Sequence, residues 1–238
     1  ETMGASNIAA FIAEPIVGAA GTALTPMEEY YQKFKAVCHQ HEILFIADEV
    51  MTGLGRTGKW FGLEHWNTYA DIVAVGKSLG AGYAPIAATM ITDKILEPIK
   101  NGSGLIMSGH TYSGHPLSCA TALRVLQIVE KDNLLSNVNE MGKYIKRSLE
   151  ELKQENEIIQ MVRGKGLLIG VEFDPLVKGF QANLIERCYQ NGLLVYPAVG
   201  GKEGKDENGI LVSPPFIISK QEADELLEKF TKSLKECK

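Results

Sequence analysis

Residues 43–86 read ILFIADEVMTGLGRTGKWFGLEHWNTYADIVAVGKSLGAGYAPI. The stretch opens on an apolar run, Ile43-Leu44-Phe45-Ile46-Ala47, that stops at two carboxylates, Asp48 and Glu49. A second run, Ile72-Val73-Ala74-Val75, stops at Gly76-Lys77 and a glycine-rich turn. Short bulky runs without polar alternation are the pattern of parallel strands covered on both faces. Sites in such sheets lie outside the carboxyl ends of the strands. The spacing therefore places an acid, Asp48, and an amine, Lys77, where two strands deliver side chains to a site.

The flanking sequence extends the pattern. Ile8 to Ala13 reads as a further buried strand, closed by Glu14-Pro15, and Thr25-Pro26 as the start of a helix capped by Thr25. Tyr30, Phe34, Val37 and Cys38 give that helix its apolar face. Pro85 to Ile91 is another apolar strand, so the sequence predicts βα units, a mostly parallel sheet and helices on both faces. Pro116 opens a helix to about Lys131. Val138, Met141, Ile145, Leu149 and Leu152 then recur at helical spacing.

Beyond that point the order loosens. Short strands at 159–162, 167–173, 193–196 and 210–212 are interrupted by a helix near 182–190 and followed by a final helix carrying Ala223, Leu227, Phe230 and Leu234. This is the pattern of a smaller α+β module. The sequence thus predicts residues 1–131 as part of a large α/β domain and 132–238 as a small C-terminal one. Lys202 to Asn208 reads as a polar, mobile loop.

The 238 residues suffice to bury a core, and 45% hydrophobic with 22% charged residues is ordinary soluble composition. A net charge of −5 argues against nucleic acid or an anionic membrane as partner. The four cysteines show neither paired nor metal-type spacing and read as reduced thiols of a cytoplasmic protein; no metal site is expected. The chain begins at Glu1 without a Met and enters a strand almost at once, which reads as the C-terminal part of a longer protein.

A lysine at a strand end near desolvating residues is a potential amine nucleophile, because burial favours its neutral form. The chemistry that most needs one is Schiff-base formation, including with pyridoxal phosphate, whose ring nitrogen stays protonated beside a carboxylate. Asp48 is placed for that, and Val50 offers a small β-branched face to a ring. Taken separately, Asp48-Glu49 also reads as a cap or loop carboxylate, and Lys77 as a solvated turn residue.

Residues 45–58 (FIADEVMTGLGRTG), Asp71-Ile72 and 76–83 (GKSLGAGY) resemble the signature of class III aminotransferases, pyridoxal-phosphate enzymes of the aspartate-aminotransferase fold. The resemblance extends to Ala13-Glu14-Pro15-Ile16 and to residues 111–120 (TYSGHPLSCA). It implies that Lys77 is the Schiff-base lysine and proton shuttle, that Asp48 pairs with the pyridinium nitrogen, and that Val50 packs on the ring. It further implies that Thr111 binds the cofactor phosphate of a neighbouring subunit in a homodimer with shared active sites, and that Glu14 stands behind these contacts. Small-molecule donors and keto-acid acceptors are the implied partners.

Ornithine- and GABA-type members resemble one another in having Gln-Gly-Glu or Gln-Ser-Glu after Glu-Pro-Ile, and Gln after Asp-Glu-Val. Here Val17-Gly18-Ala19 and Met51 stand instead. The resemblance therefore points to the omega-amino-acid:pyruvate group, which typically holds the keto-acid carboxylate by an arginine before the final strand. The loop 200–209 offers Lys202 and Lys205 but no arginine, and a lysine lacks the planar fork that grips a carboxylate. Arg56 and Arg163 are further candidates. The rival readings are the adenosylmethionine-dependent aminotransferase of biotin synthesis, an aminomutase of the same family, and a cofactor-binding fragment without turnover of its own. His110 and His115 read as backbone-bonding residues, and Trp60, Phe61 and Trp66 as core or subunit contacts.

Overall fold

A computed structural model of the chain describes residues 4–200 and 206–237. Lys202 and Lys205 lie outside the described residues. The chain divides into two compact units. One holds the residues through Pro15, Pro26–Leu54 and Lys59–Asp132; the other holds Ile16–Thr25, Gly55–Gly58 and the residues from Asn133 onward.

The first unit contains β1 (Ala10–Ala13), α1 (Tyr30–Gln40), β2 (Leu44–Asp48), β3 (Ile72–Val75), β4 (Ala88–Ile91), α2 (Asp93–Asn101) and α3 (Pro116–Lys131). Its sheet runs β1-β2-β3-β4. The first three strands are parallel, with Ala13 opposite Ala47 and Asp48 opposite Ala74. The α/β class with a largely parallel sheet is the one observed. β4 departs from it by pairing antiparallel, Val75 opposite Ala88. The connection between β3 and β4 is a 3-10 turn and a glycine reversal, without the helix that a parallel crossover uses.

Aromatic packing seats α1 on the sheet. The ring of Tyr31 lies 5.9 Å from Phe45 and 5.2 Å from Trp66, and Phe34 meets Phe45 at 5.3 Å. The helix starts at Tyr30, not at the expected Thr25-Pro26, because the Thr25 hydroxyl bonds back to the Ala23 carbonyl at 3.1 Å. A small apolar cluster of Leu54, Val75, Leu79 and Ala122, joined by Leu126, ties α3 to the turn that follows β3.

The second unit contains α4 (Leu134–Gln154), β5 (Ile159–Lys165), β6 (Leu168–Phe173), α5 (Phe180–Gln190), β7 (Tyr196–Gly200), β8 (Asp206–Val212) and α6 (Lys220–Glu236). Its sheet, ordered β5-β6-β8-β7, is antiparallel throughout. The expected apolar face of α4 is buried with Val171, Phe173, Ile210 and Phe230 in one core.

Two expectations need correction here. Leu193–Val195 precede β7, because the Leu193 N–H closes the exit of α5 on the Cys188 carbonyl at 2.8 Å after Gly192 turns left-handed. Glu207 and Asn208, read as loop, belong to β8. Asn208 is buried and donates Nδ2 to the Phe173 carbonyl at 2.9 Å.

The segment 16–25 completes this unit. Val17 and Leu24 bond to each other as a small bridge, and the buried Thr22 donates its hydroxyl to the Val199 carbonyl at 2.7 Å. Gly170 and Gly209 make room for it. A Cβ at either would stand 2.1 Å from a Thr22 atom, closer than any side chain tolerates.

Candidate active site

The parallel register brings three strand ends level. Glu14 follows β1, Asp48 ends β2, and Gly76-Lys77 follows β3, so an acid, an acid and an amine stand along one edge. Asp48 is half-buried. Its Oδ1 accepts the Val50 N–H at 3.1 Å, and its Oδ2 accepts no hydrogen bond among the described residues.

Val50 closes the gap between the two strands. Its Cγ1 lies 3.5 Å from where a Cβ on Gly76 would stand. Lys77 follows with φ 35°, in the left-handed region that costs a residue with a Cβ about 1–2 kcal/mol. Strain of that kind persists only where the surroundings dictate it, and it gathers at functional positions. Hydrogen bonds do the dictating. The Lys77 carbonyl accepts the N–H groups of Gly80 at 3.2 Å and Ala81 at 3.0 Å, and Leu79 N–H reaches the Gly76 carbonyl at 2.8 Å.

The Lys77 side chain is exposed and its amine makes no hydrogen bond among the described residues. The burial that the sequence reading assigns to this amine is therefore not supplied by them, and that expectation is corrected. A Cβ on Gly82 would meet nothing within 4 Å, so the space beside the lysine turn is open.

Thr111 lies elsewhere, in an exposed turn ahead of α3, and its hydroxyl has no partner among the described residues. That turn is held by its own neighbours. The Ser113 N–H bonds the His110 carbonyl at 2.8 Å, and His110 Nδ1 accepts the Tyr112 N–H at 3.2 Å. His115 caps α3 by accepting the Ser118 N–H at 3.4 Å. Both histidines thus bond backbone, as expected. No described contact brings Thr111 to Lys77. Glu14 is half-buried, and its main-chain carbonyl accepts the Tyr31 hydroxyl at 2.6 Å.

The two arginines considered as carboxylate ligands are occupied inside the second unit. Arg163 donates to the Gly21 and Thr22 carbonyls, both at 2.8 Å, and pairs with Glu172 at 2.7 Å. Arg56 donates to the carbonyls of Leu167 at 3.0 Å and Pro214 at 2.7 Å, and stacks on Phe216 at 4.6 Å. Burial pulls its pKa down to about 10. Trp66 is core, as expected, with its indole N–H on the Met27 carbonyl at 3.0 Å.

Sequence reasoning named Glu49 without giving it work. The structure does so: it is 1% exposed and gathers donors from three residues. The signal available in the sequence was its position between two residues of the site.

Set against known proteins, residues 1–234 match the family model for class-III aminotransferases. The chain is 46% identical over 98% of its length to an uncharacterized aminotransferase, YodT, of Bacillus subtilis, covering 54% of that protein. It is 40% identical over 98% of its length to gamma aminobutyrate transaminase 3 of Solanum lycopersicum, covering 45% of it. Among solved structures it superposes with a TM-score of 0.91 at 36% identity on a PLP-bound amine transaminase from an uncultivated Pseudomonas species, with 100% of this chain and 54% of that one covered. The chain therefore spans about half the length of the curated relatives it matches.

Proposed function

Because the chain belongs to the class III aminotransferase family, we propose that it serves pyridoxal-phosphate-dependent transfer of an amino group from an omega-amino acid or amine to a keto acid such as pyruvate. The observation that carries this reading is the placement of a carboxylate oxygen, on Asp48, and an amine, on Lys77, both without a partner among the described residues, at adjacent parallel strand ends with Val50 between them. The residues fit the cofactor: an acid for a ring nitrogen, an amine for an aldehyde, an apolar face for a ring and open space beside the amine.

When bound, pyridoxal phosphate supplies an electron sink that stabilises negative charge at the substrate carbon. The chain's own residues do the rest. Asp48 would hold the ring nitrogen through Oδ2 and keep it protonated, and Val50 would cover one ring face. Lys77 would hold the aldehyde through Nζ and, once the substrate amine has displaced it, would move a proton at that atom as base and then as acid. Thr111 would donate its hydroxyl to the phosphate held by a second copy of the protein, in a homodimer with shared sites. Glu14 stands behind Asp48 on the neighbouring strand.

The relatives named for gamma aminobutyrate and for amines support a donor whose amine is not attached beside a carboxylate. The protein carrying this chain, loaded with pyridoxal phosphate, is mixed in turn with β-alanine, alanine and adenosylmethionine while the visible band of the cofactor is followed. β-Alanine and alanine are expected to bleach it, and added pyruvate to restore it. Bleaching by adenosylmethionine alone would transfer the assignment to the biotin-synthesis reading.

A further inference from the structure

Two carboxylates stand side by side where β2 ends, and only one of them faces the strand-end site. Successive residues of an extended chain point to opposite sides. Asp48 is half-buried toward that edge, whereas Glu49 turns inward and is 1% exposed. Among the described residues no cation pairs with it. Its two oxygens instead collect three donors: Oε2 accepts the Thr52 hydroxyl and, at 2.8 Å, the Gly62 N–H, and Oε1 accepts the Leu63 N–H at 3.0 Å. The main chain of Glu49 is tied as well, its N–H to the Ala74 carbonyl and its carbonyl to the Gly53 N–H, both at 2.9 Å.

Burying a carboxylate without a cation is costly, and the cost is met by charge-assisted hydrogen bonds. Burial pushes the Glu49 pKa up, and the Thr52, Leu63 and Gly62 bonds offset only part of the rise. An apolar residue would fill the same space without that desolvation. What it could not do is tie the 49–53 turn, through the Thr52 hydroxyl, to the backbone N–H groups of Gly62 and Leu63 by one side chain. Val50, whose methyl borders Gly76 and whose N–H holds Asp48 Oδ1, is the next residue along. Gly62 fits this arrangement: a Cβ there would stand 3.0 Å from Glu49 Oε2 and 2.9 Å from the Thr52 Cβ.

We infer that Glu49 is a positioning residue, whose buried carboxylate latches the 49–63 segment so that Asp48 and Val50 are held at the ring-binding edge. The inference rests on the cofactor reading above. The latch needs an acceptor oxygen on each arm of the carboxyl group. In Glu49→Gln one oxygen becomes an NH2 group that must face a donor, so a repulsive contact replaces a hydrogen bond. Thr52→Val removes one donor and keeps the shape; Thr52→Ser keeps the donor.

The experiment uses the pyridoxal-phosphate-loaded protein that carries this chain, measuring cofactor affinity and the pH midpoint of the visible band, with far-UV dichroism as the check of folding. Glu49→Gln is expected to weaken cofactor binding about tenfold, the size of one charge-assisted bond, and to displace the pH midpoint. Thr52→Val moves both readouts the same way by about threefold, and Thr52→Ser restores them. A folded Glu49→Gln protein with wild-type affinity and midpoint overturns the latch. If Glu49→Gln does not fold, equal behaviour of Thr52→Val and Thr52→Ser overturns it instead. Wild-type protein that takes up no pyridoxal phosphate defeats the cofactor reading itself, and the latch with it.

Discussion

The turn after β3 and the sheet of the second unit treat a cation in opposite ways. Lys77 stands exposed in a strained backbone conformation, its amine without a partner among the described residues. Arg163 is largely buried and spends its guanidinium on Gly21, Thr22 and Glu172. A group built into architecture is saturated with partners. On the function proposed above, Lys77 is a group kept for chemistry: its backbone is held firmly and its tip has no partner among the described residues. Asp48 and Glu49 repeat the contrast within one dipeptide: among the described residues the first has no partner at Oδ2, and the second has both oxygens filled.

The contrast breaks most visibly at Lys77. Lys77→Ala and Lys77→Gly are both expected to abolish the borohydride-trappable cofactor adduct and to cut turnover on the order of 10³-fold, without loss of fold. The Gly variant is expected to unfold about 1 kcal/mol harder than the Ala variant, since glycine adopts positive φ freely; chemical denaturation of the two compares them. Retained trapping in either variant would remove Lys77 from its role.

Arg163→Ala should show the reverse pattern. Removing Arg163 takes the donor from the Gly21 and Thr22 carbonyls and breaks a largely buried ion pair, and about 3 kcal/mol of stability is expected to go. Trapping at Lys77 should persist in the folded fraction. A variant with an unchanged urea midpoint would show that full partnering here does not mark structural weight.

The smallest effect belongs to the N-terminus of α6. Ser219 accepts the Glu222 N–H, and Glu222 returns a bond to the Ser219 N–H, which together with the Ser219 hydroxyl holds the Glu222 pKa below the usual carboxylate range. A carboxyl with a lowered folded-state pKa adds stability above its unfolded value and loses it as pH falls through the folded one. Ser219→Ala is expected to cost about 1 kcal/mol at neutral pH. It should also flatten the acid side of the stability profile, as thermal melts across that range would show.

Much of this was legible in the sequence, for reasons that can be named. Leu44–Ala47 and Ile72–Val75 are short, uniformly apolar runs bounded by polar and glycine residues, the pattern of strands, so Asp48 and Lys77 fell at strand ends by counting; the cover on both faces did not follow, since β3 buries only Val75. α4 was legible because its apolar residues recur without a break. The antiparallel β4 was not, since strand direction is decided by the glycine turn at 80–82 and not by the strand's own residues. α2 was missed because Pro98 stands inside it, where a proline argues against a helix. Glu49 escaped because its donors come from residues up to fourteen positions away, and no local pattern announces them.

The glycines opposite Thr22 carry one more consequence. Residues 133–237 look like a module that protein engineers might lift out and graft elsewhere. Taken alone, that piece would present a socket without its plug: Gly170 and Gly209 hollow the sheet to receive Thr22, and Arg163 reaches for carbonyls that the excised piece does not contain. A transplantable version must bring residues 16–25 and 55–58 along, by circular rearrangement or as added peptides, or refill the hollow with side chains of its own.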